Sequence, residues 1–225
     1  CHLKERELTG SGSLSAFAMG HYYYGLHRDG DKWIFREYAP NATSIFVTGT
    51  FNGWKEAENF RMTRINAYGD WEISIPASLM KHGDLYKLSV HWNGGKGERI
   101  PSYVNRVVQD DKTKIFSAQI WDPPEKYKWK VKSFKPSSVV PVIYEAHVGM
   151  ATPDEKTGTD LEFAENVIPR IAKAGYNTIQ LMAIQEHPFY GSFGYHVSSF
   201  FAASSRFGTP DELKQLVDTA HLMGL

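Results

Sequence analysis

The sequence predicts a multi-domain β plus α/β protein: an antiparallel β-sandwich over residues 21–122, then the start of a parallel α/β domain over residues 139–225. Three observations predict it. Short aromatic and β-branched segments, separated by turn signals about every ten residues, fill the first half. Two continuous apolar runs, each followed by a helical pattern, fill the last part. Between them "WDPPEKYKWKVKSFKPSS" has no period at all.

Residues 1–20 form an N-terminal segment. The strand segments of the sandwich are "KWIFREYAP", "SIFVTGTF", "DWEISIP" and "YKLSVHW", and "RDGDK", "APNAT", "FNGW", "NAYGD" and "KHGD" punctuate them. In "DWEISIP", Trp71, Ile73 and Ile75 share one face while Asp70, Glu72 and Ser74 take the other, the period of two that a half-buried strand requires. No long helix is expected here. Residues 123–138 are the linker. "VVPVIYEAHVG" then has strand length and is apolar throughout, so it is expected to be buried on both faces. "LEFAENVIPRIAKAGYN" places Phe163, Val167, Ile168 and Ile171 at helical spacing and stops at Gly175, a C-cap. "TIQLMAI" is the second buried strand. The closing helix begins near Asp211, with Thr209 as cap, Pro210 in the first turn and Leu213, Leu216, Val217 and Ala220 on one face. A (β/α)8 barrel needs eight such units, so the expectation is the front of a longer domain. Cys1 in place of Met, and a helix ending at Leu225, agree with it.

Lys plus Arg and Asp plus Glu are 25 each, so no net field attracts nucleic acid or anionic lipid, and an uncharged partner such as a sugar suits the chain. One cysteine forms no intrachain disulfide. No run is long enough to span a membrane, no signal-peptide pattern opens the chain, and the cytoplasm is the expected compartment. There is no GxSxG, phosphate loop, HExxH or GxGxxG. His147 and His187 lack partners at ligand spacing, so neither a metal nor a cofactor is expected.

"TGTFNGWKEA" has a tight Asn-Gly turn with Trp54 directly after it. An exposed Trp54 would stack on a sugar ring while Lys55 and Glu56 bond its hydroxyls; equally, Trp54 fills the sandwich edge. Trp71 and Trp92 are assigned to the core or a strand face. In "YEAHVG", Glu145 and His147 are expected to hydrogen-bond each other as a structural pair, the alternative being a role at the mouth of a site. After the second strand, "IQEHPFYGSFGYHVSSFFAASSRFGTPDEL" is far longer than an ordinary βα loop. Its Phe200 and Phe201 are expected to be buried. Tyr195, between Gly194 and His196, is the best candidate for a sugar platform.

With these residues in view, "GTFNGW", "VIYEAHVG" and "GYNTIQLMAIQEHPFYGSFGYHVSSFFAASSRFGTPDELKQLVDTAHLMGL" resemble the 1,4-alpha-glucan (glycogen or starch) branching enzymes of the alpha-amylase family, glycoside hydrolase family 13. The loop resembles the eukaryotic type. The resemblance implies an immunoglobulin-like β-sandwich, acting as a carbohydrate-binding module, followed by the first two βα units of an incomplete (β/α)8 TIM barrel. It further implies cleavage of an alpha-1,4-glucan (glycogen, amylose or maltooligosaccharides) and transfer of the released segment to a 6-hydroxyl. The family's retaining mechanism uses two carboxylates about 5 Å apart. Their segments lie beyond Leu225 in the family pattern, so no catalytic residue is assigned to this chain, and Glu145, Asp160, Glu162 and Glu186 are not given that role. A chain ending there is expected to be inactive alone. Tyr195 matches the family's Gly-Tyr whose ring stacks beside the cleaved bond, and Trp54 with Lys55 match the module's glucan-contact region. Two other readings are a stand-alone glucan-binding protein and a debranching or trehalose-forming relative; "SFGYHVSSFFAASSR" counts against the latter.

Overall fold

The structure, a computed structural model, describes residues 2–136 and 140–225; Cys1, the linker's Ser137 and Ser138, and Val139 at the head of the first apolar run lie outside the described residues. Two compact units divide the chain, Cys1–Val104 and Asn105–Leu225, so the division falls ahead of the residue expected to end the sandwich.

Unit one begins with short helices, α1 (His2–Thr9), α2 (Leu14–Phe17) and α3 (Gly20–Tyr23), that leave no residue buried. Strands follow: β1 (Gly25–Asp29), β2 (Lys32–Tyr38), β3 (Ala42–Gly49), β4 (Thr63–Arg64), β5 (Asp70–Pro76), β6 (Leu85–Trp92) and β7 (Gly95–Arg99). One sheet has the order β1-β2-β5-β4; in the other, β6 pairs with β3 and with β7, antiparallel throughout. The alternation seen in sequence decides which face is inside. Trp33 lies opposite Ile75 and Phe35 opposite Ile73, and the Phe35 ring meets Tyr86 of the facing sheet edge-on at 5.9 Å. Buried indoles need partners for their N–H groups. Trp33 donates to the Met80 carbonyl at 2.9 Å and Trp71 to that of Ala39 at 3.0 Å. The inward register also carries Glu37, fully buried, whose carboxylate receives Arg99 at 2.9 Å and the Ser102 hydroxyl at 3.1 Å.

Unit two opens with the hairpin β8 (Val107–Gln109) and β9 (Phe116–Gln119). Next, β10 (Ile143–His147) runs parallel to β11 (Thr178–Met182), with Ile143 opposite Thr178 and His147 opposite Met182. The crossover is α4 (Asp160–Glu162), a π turn (Phe163–Val167) and α5 (Ile168–Lys173), and Gly175 follows at φ +88°. Pro169 explains the π turn. Proline has no N–H to give an i−4 carbonyl, and the helix widens just ahead of it, the Ile168 N–H reaching back to Phe163. Phe163, Val167, Ile168 and Ile171 are all buried, as their spacing predicts. Then come β12 (Gln185–Glu186) and β13 (Ser199–Ala203), an antiparallel ribbon, and α6 (Pro210–Leu222). Thr209 and Glu212 close a reciprocal capping box on α6. Phe163, Ile168, Phe207, Leu216 and Ala220 share one core.

Three expectations need correction. The apolar strands β10 and β11 are not buried on both faces, because each has a single neighbour among the described residues and the helices cover one side. Phe200 and Phe201 are 69% and 45% exposed, while Ser199 and Ala202 of the same strand are buried. Glu145 and His147 form no pair; Glu145 is exposed and both His147 ring nitrogens lack a hydrogen-bond partner.

Candidate functional site

In unit one the site is built on a turn. Asn52 accepts the Gly49 N–H at 2.9 Å and donates to the Val47 carbonyl at 3.0 Å, which locks the end of β3. The backbone then turns left-handed twice, at Gly53 (φ +64°) and Trp54 (φ +62°). A bulky residue in that region is strained, and such strain gathers where a side chain is being aimed. The Trp54 ring is 40% exposed, with the Lys87 ammonium 5.9 Å from its centroid. Lys87 also donates to Glu98 at 3.1 Å. Lys55 is exposed next to the ring. Glu56 is held through one of its two oxygens. One oxygen already takes the Ser89 hydroxyl at 2.7 Å, the His91 ring N–H at 2.9 Å and Lys96 at 3.4 Å, and these bonds, Ser89 first and His91 next, hold its carboxyl down at about 2.

In unit two the long loop is a built object. Ser205 donates its N–H to Glu186 at 2.7 Å, Arg206 donates to the Pro188 carbonyl at 2.7 Å, and Arg106 donates to the Gly208 carbonyl at 2.7 Å, so the loop's two ends are tied. The Tyr190 hydroxyl reaches the Gly149 carbonyl at 3.1 Å. Phe193 (φ +52°) and Gly194 (φ +82°) then turn left-handed, and a Cβ on Gly194 would fall 2.3 Å from that of Ala183. Only glycine lets the loop press so close. Tyr195 follows and stands 75% exposed. Beneath the loop, the edges of Tyr190, Phe193 and Phe207 surround His147 at 6.4, 6.2 and 5.6 Å. Burial pushes its pKa down, so the ring is a neutral packing element.

Three of the four carboxylates that were not made catalytic have structural places, while Glu145 is exposed. Glu186 is fully buried as a post for the loop, Glu162 accepts the Thr159 N–H at 3.0 Å, and Asp160 is buried at the start of α4. Among the described residues no group of His, Cys, Asp or Glu is arranged to hold a metal ion, and no helix is long and apolar enough to cross a membrane. What the arrangement offers is chemistry for an uncharged ring: two exposed aromatic planes, each on strained backbone, each beside polar groups.

Comparison with known proteins agrees. The family described as carbohydrate-binding module 48 (isoamylase N-terminal domain) matches residues 23–110. A 1,4-alpha-glucan-branching enzyme of Yarrowia lipolytica is 46% identical over 224 residues, covering 95% of this chain and 32% of that protein. Over nearly its whole length the chain is similar to 1,4-alpha-glucan-branching enzymes. The Solanum tuberosum branching enzyme is 42% identical, again over 95% of this chain, and 26% of its own length is covered. This chain therefore spans about a third or less of the length of these branching enzymes. Among solved structures, Bacillus subtilis type I pullulanase, complexed with maltose, matches 94% of the chain and 33% of its own at TM-score 0.71 and 23% identity. A GBS pullulanase in complex with maltotetraose matches 98% and 33% at TM-score 0.72 and 20% identity, which speaks for the fold.

Sequence reasoning named Trp54, Lys55 and Tyr195 and set Glu186 aside as not catalytic, but missed Lys87, Arg106 and the part Glu186 plays in tying the loop. Lys87 had a signal: it alternates with buried Tyr86 and Leu88 and so faces out, but only its register opposite Thr48 brings it to the Trp54 turn.

Proposed function

We propose that the full-length protein cleaves alpha-1,4 bonds of a linear glucan and transfers the released segment to a 6-hydroxyl, creating an alpha-1,6 branch, in the cytoplasm. The sandwich, proposed over residues 21–122 after an N-terminal segment 1–20, is an immunoglobulin-like module that holds glucan on Trp54, with Lys55 and Lys87 addressing hydroxyls. Residues 123–138 connect it to residues 139–225, read as the first two βα units of a (β/α)8 TIM barrel. The parallel β10–β11 pair with its helical crossover supports this. The catalytic carboxylates are assigned to the remainder of the full-length protein, and Tyr195 is the substrate platform that this chain supplies.

One observation carries the reading: Tyr195 is a large ring left in water by a loop whose two ends are tied to backbone and to a buried carboxylate. A ring that packs on the sugar as it flattens lowers the barrier, whereas a contact equal in both states lowers only the Michaelis constant. In the full-length enzyme, Tyr195→Ala is expected to lower kcat and raise KM with an unchanged melting temperature, and Tyr195→Phe to retain most turnover. A Tyr195→Ala enzyme that is destabilised yet fully active per folded molecule would return the ring to a packing role.

A further inference from the structure

A cleft of 490 Å3 opens on unit two between the aperiodic connector and the first turns of α6. Trp121, Trp129 and Phe201 supply its aromatic walls, and Asn105 and Lys214 are its polar lining. The connector is pinned there. Asp218 of α6, 1% exposed, accepts the N–H of Lys130 at 2.8 Å, the N–H of Val131 at 2.9 Å and the Tyr127 hydroxyl at 2.9 Å. A buried carboxylate with three donors from one loop holds that loop in a single position. Trp129 is the residue just before the pinned pair; its ring stands edge-on to Tyr127 at 5.1 Å and is 41% exposed. Fixed backbone therefore presents an indole to water, facing a cleft whose other walls are also aromatic.

The charges around the cleft are already matched. Lys214 donates to Asp211 at 2.8 Å, and the Arg106 guanidinium, 5.5 Å from the Trp121 ring, lies near Glu186, Glu212 and Asp160. The lining itself holds one charged residue, Lys214, which is already paired. Aromatic planes, an amide and a lining with its one charge matched are the chemistry of a neutral polyol, and clefts of this size take a ligand of about two hexose rings. We propose that this cleft is a further binding site for linear alpha-1,4-glucan, apart from Trp54 and Tyr195, with Trp129 and Phe201 as stacking surfaces and Asn105 as the amide that addresses hydroxyls. The choice of alpha-glucan over another neutral sugar rests on the branching function proposed above. Because β13 carries Phe201 and ends the same loop that presents Tyr195, one ribbon serves both places.

The test titrates maltoheptaose into the 225-residue chain by calorimetry, with the sandwich contact first silenced by Trp54→Ala. Residual binding is expected, and adding Trp129→Ala should weaken it about tenfold, with Trp129→Phe in between. Melting temperatures of the Trp129 variants should match the parent. If the chain binds but Trp54→Ala alone abolishes all binding, the cleft site is overturned and the branching reading stands. If no maltoheptaose binds to the unmutated chain, both fall. If Trp129→Ala leaves affinity intact while lowering the melting temperature of the full-length enzyme, protein fills the cleft and the proposal is overturned.

Discussion

Asp160 lies 4% exposed between Arg106, Glu212 and the Gly208 backbone, a place in unit two where charge and burial conflict. Burial, reinforced by Glu212 and opposed by Arg106, pushes its carboxyl from 3.8 up to about 7. The folded chain therefore keeps a proton that the unfolded chain releases. Stability from this group is complete below about pH 4 and is lost as pH rises toward about 7. Asp160→Asn should remove that decline and stabilise the chain at pH 8, by an amount on the order of 1–4 kcal/mol. Urea unfolding of both proteins at pH 5 and pH 8 checks this; an equal decline in the variant would move the effect to another buried acid, Glu37, which burial also raises. Gly194→Ala makes a second test. At φ +82° and with Ala183 in the way, the added methyl should cost roughly 2 kcal/mol or more and lower the melting temperature.

At the scale of elements, two segments with no regular pattern turn out to be ordered by single carboxylates. Glu186 binds the return of the long loop and Asp218 binds the connector. Asp218→Ala leaves the Lys130 and Val131 N–H groups without their acceptor, so trypsin should cut the 126–132 stretch, rich in lysine, several-fold faster than in the parent. An unchanged cleavage rate would mean that packing of Tyr127 and Trp129 alone holds the segment. Helix α6 depends on its cap in a more ordinary way: Thr209→Ala removes the acceptor of the Glu212 N–H and should cost about 1 kcal/mol, read from faster amide exchange in the first turn. Elements with strong periodicity were legible in advance. The crossover helix was readable from Phe163, Val167, Ile168 and Ile171, whereas its π turn was not, because apolar spacing does not register how a backbone accommodates Pro169.

At the scale of the molecule, the two units differ in how completely they enclose their strands. The inner faces of the sandwich sheets close on each other around Trp33, Phe35, Ile45 and Leu88, all buried. The parallel pair β10–β11 leaves Ile143 exposed and no residue of either strand fully buried. Amides of β2, β3 and β6 are accordingly expected to exchange far more slowly than those of β10 and β11 in the 225-residue chain. Equal protection across both units would show that the parallel pair is stabilised by more than the contacts seen here.

Alternation and helical spacing follow from local geometry, so the main sandwich strands, the β10–crossover–β11 succession and α6, the inward faces of "KWIFREY" and "DWEISIP", and the caps at Thr209 and Gly175 could be derived from sequence alone, whereas the N-terminal helices and the β12–β13 ribbon could not. The same parity even places Glu37 inside, next to Trp33 and Phe35. The exposed aromatic residues Trp54 and Tyr195 were legible as candidates because each follows a glycine in a turn. Tertiary structure alone decided which rings meet water and which polar groups hold them there. Phe200 and Phe201 face out because β12 and β13 pair as a ribbon, Lys87 meets Trp54 through the register of β3 against β6, and Trp129 is displayed because a carboxylate far along the chain captures its neighbours. Pairing, register and long-range capture depend on residues distant in sequence, and no local period records them.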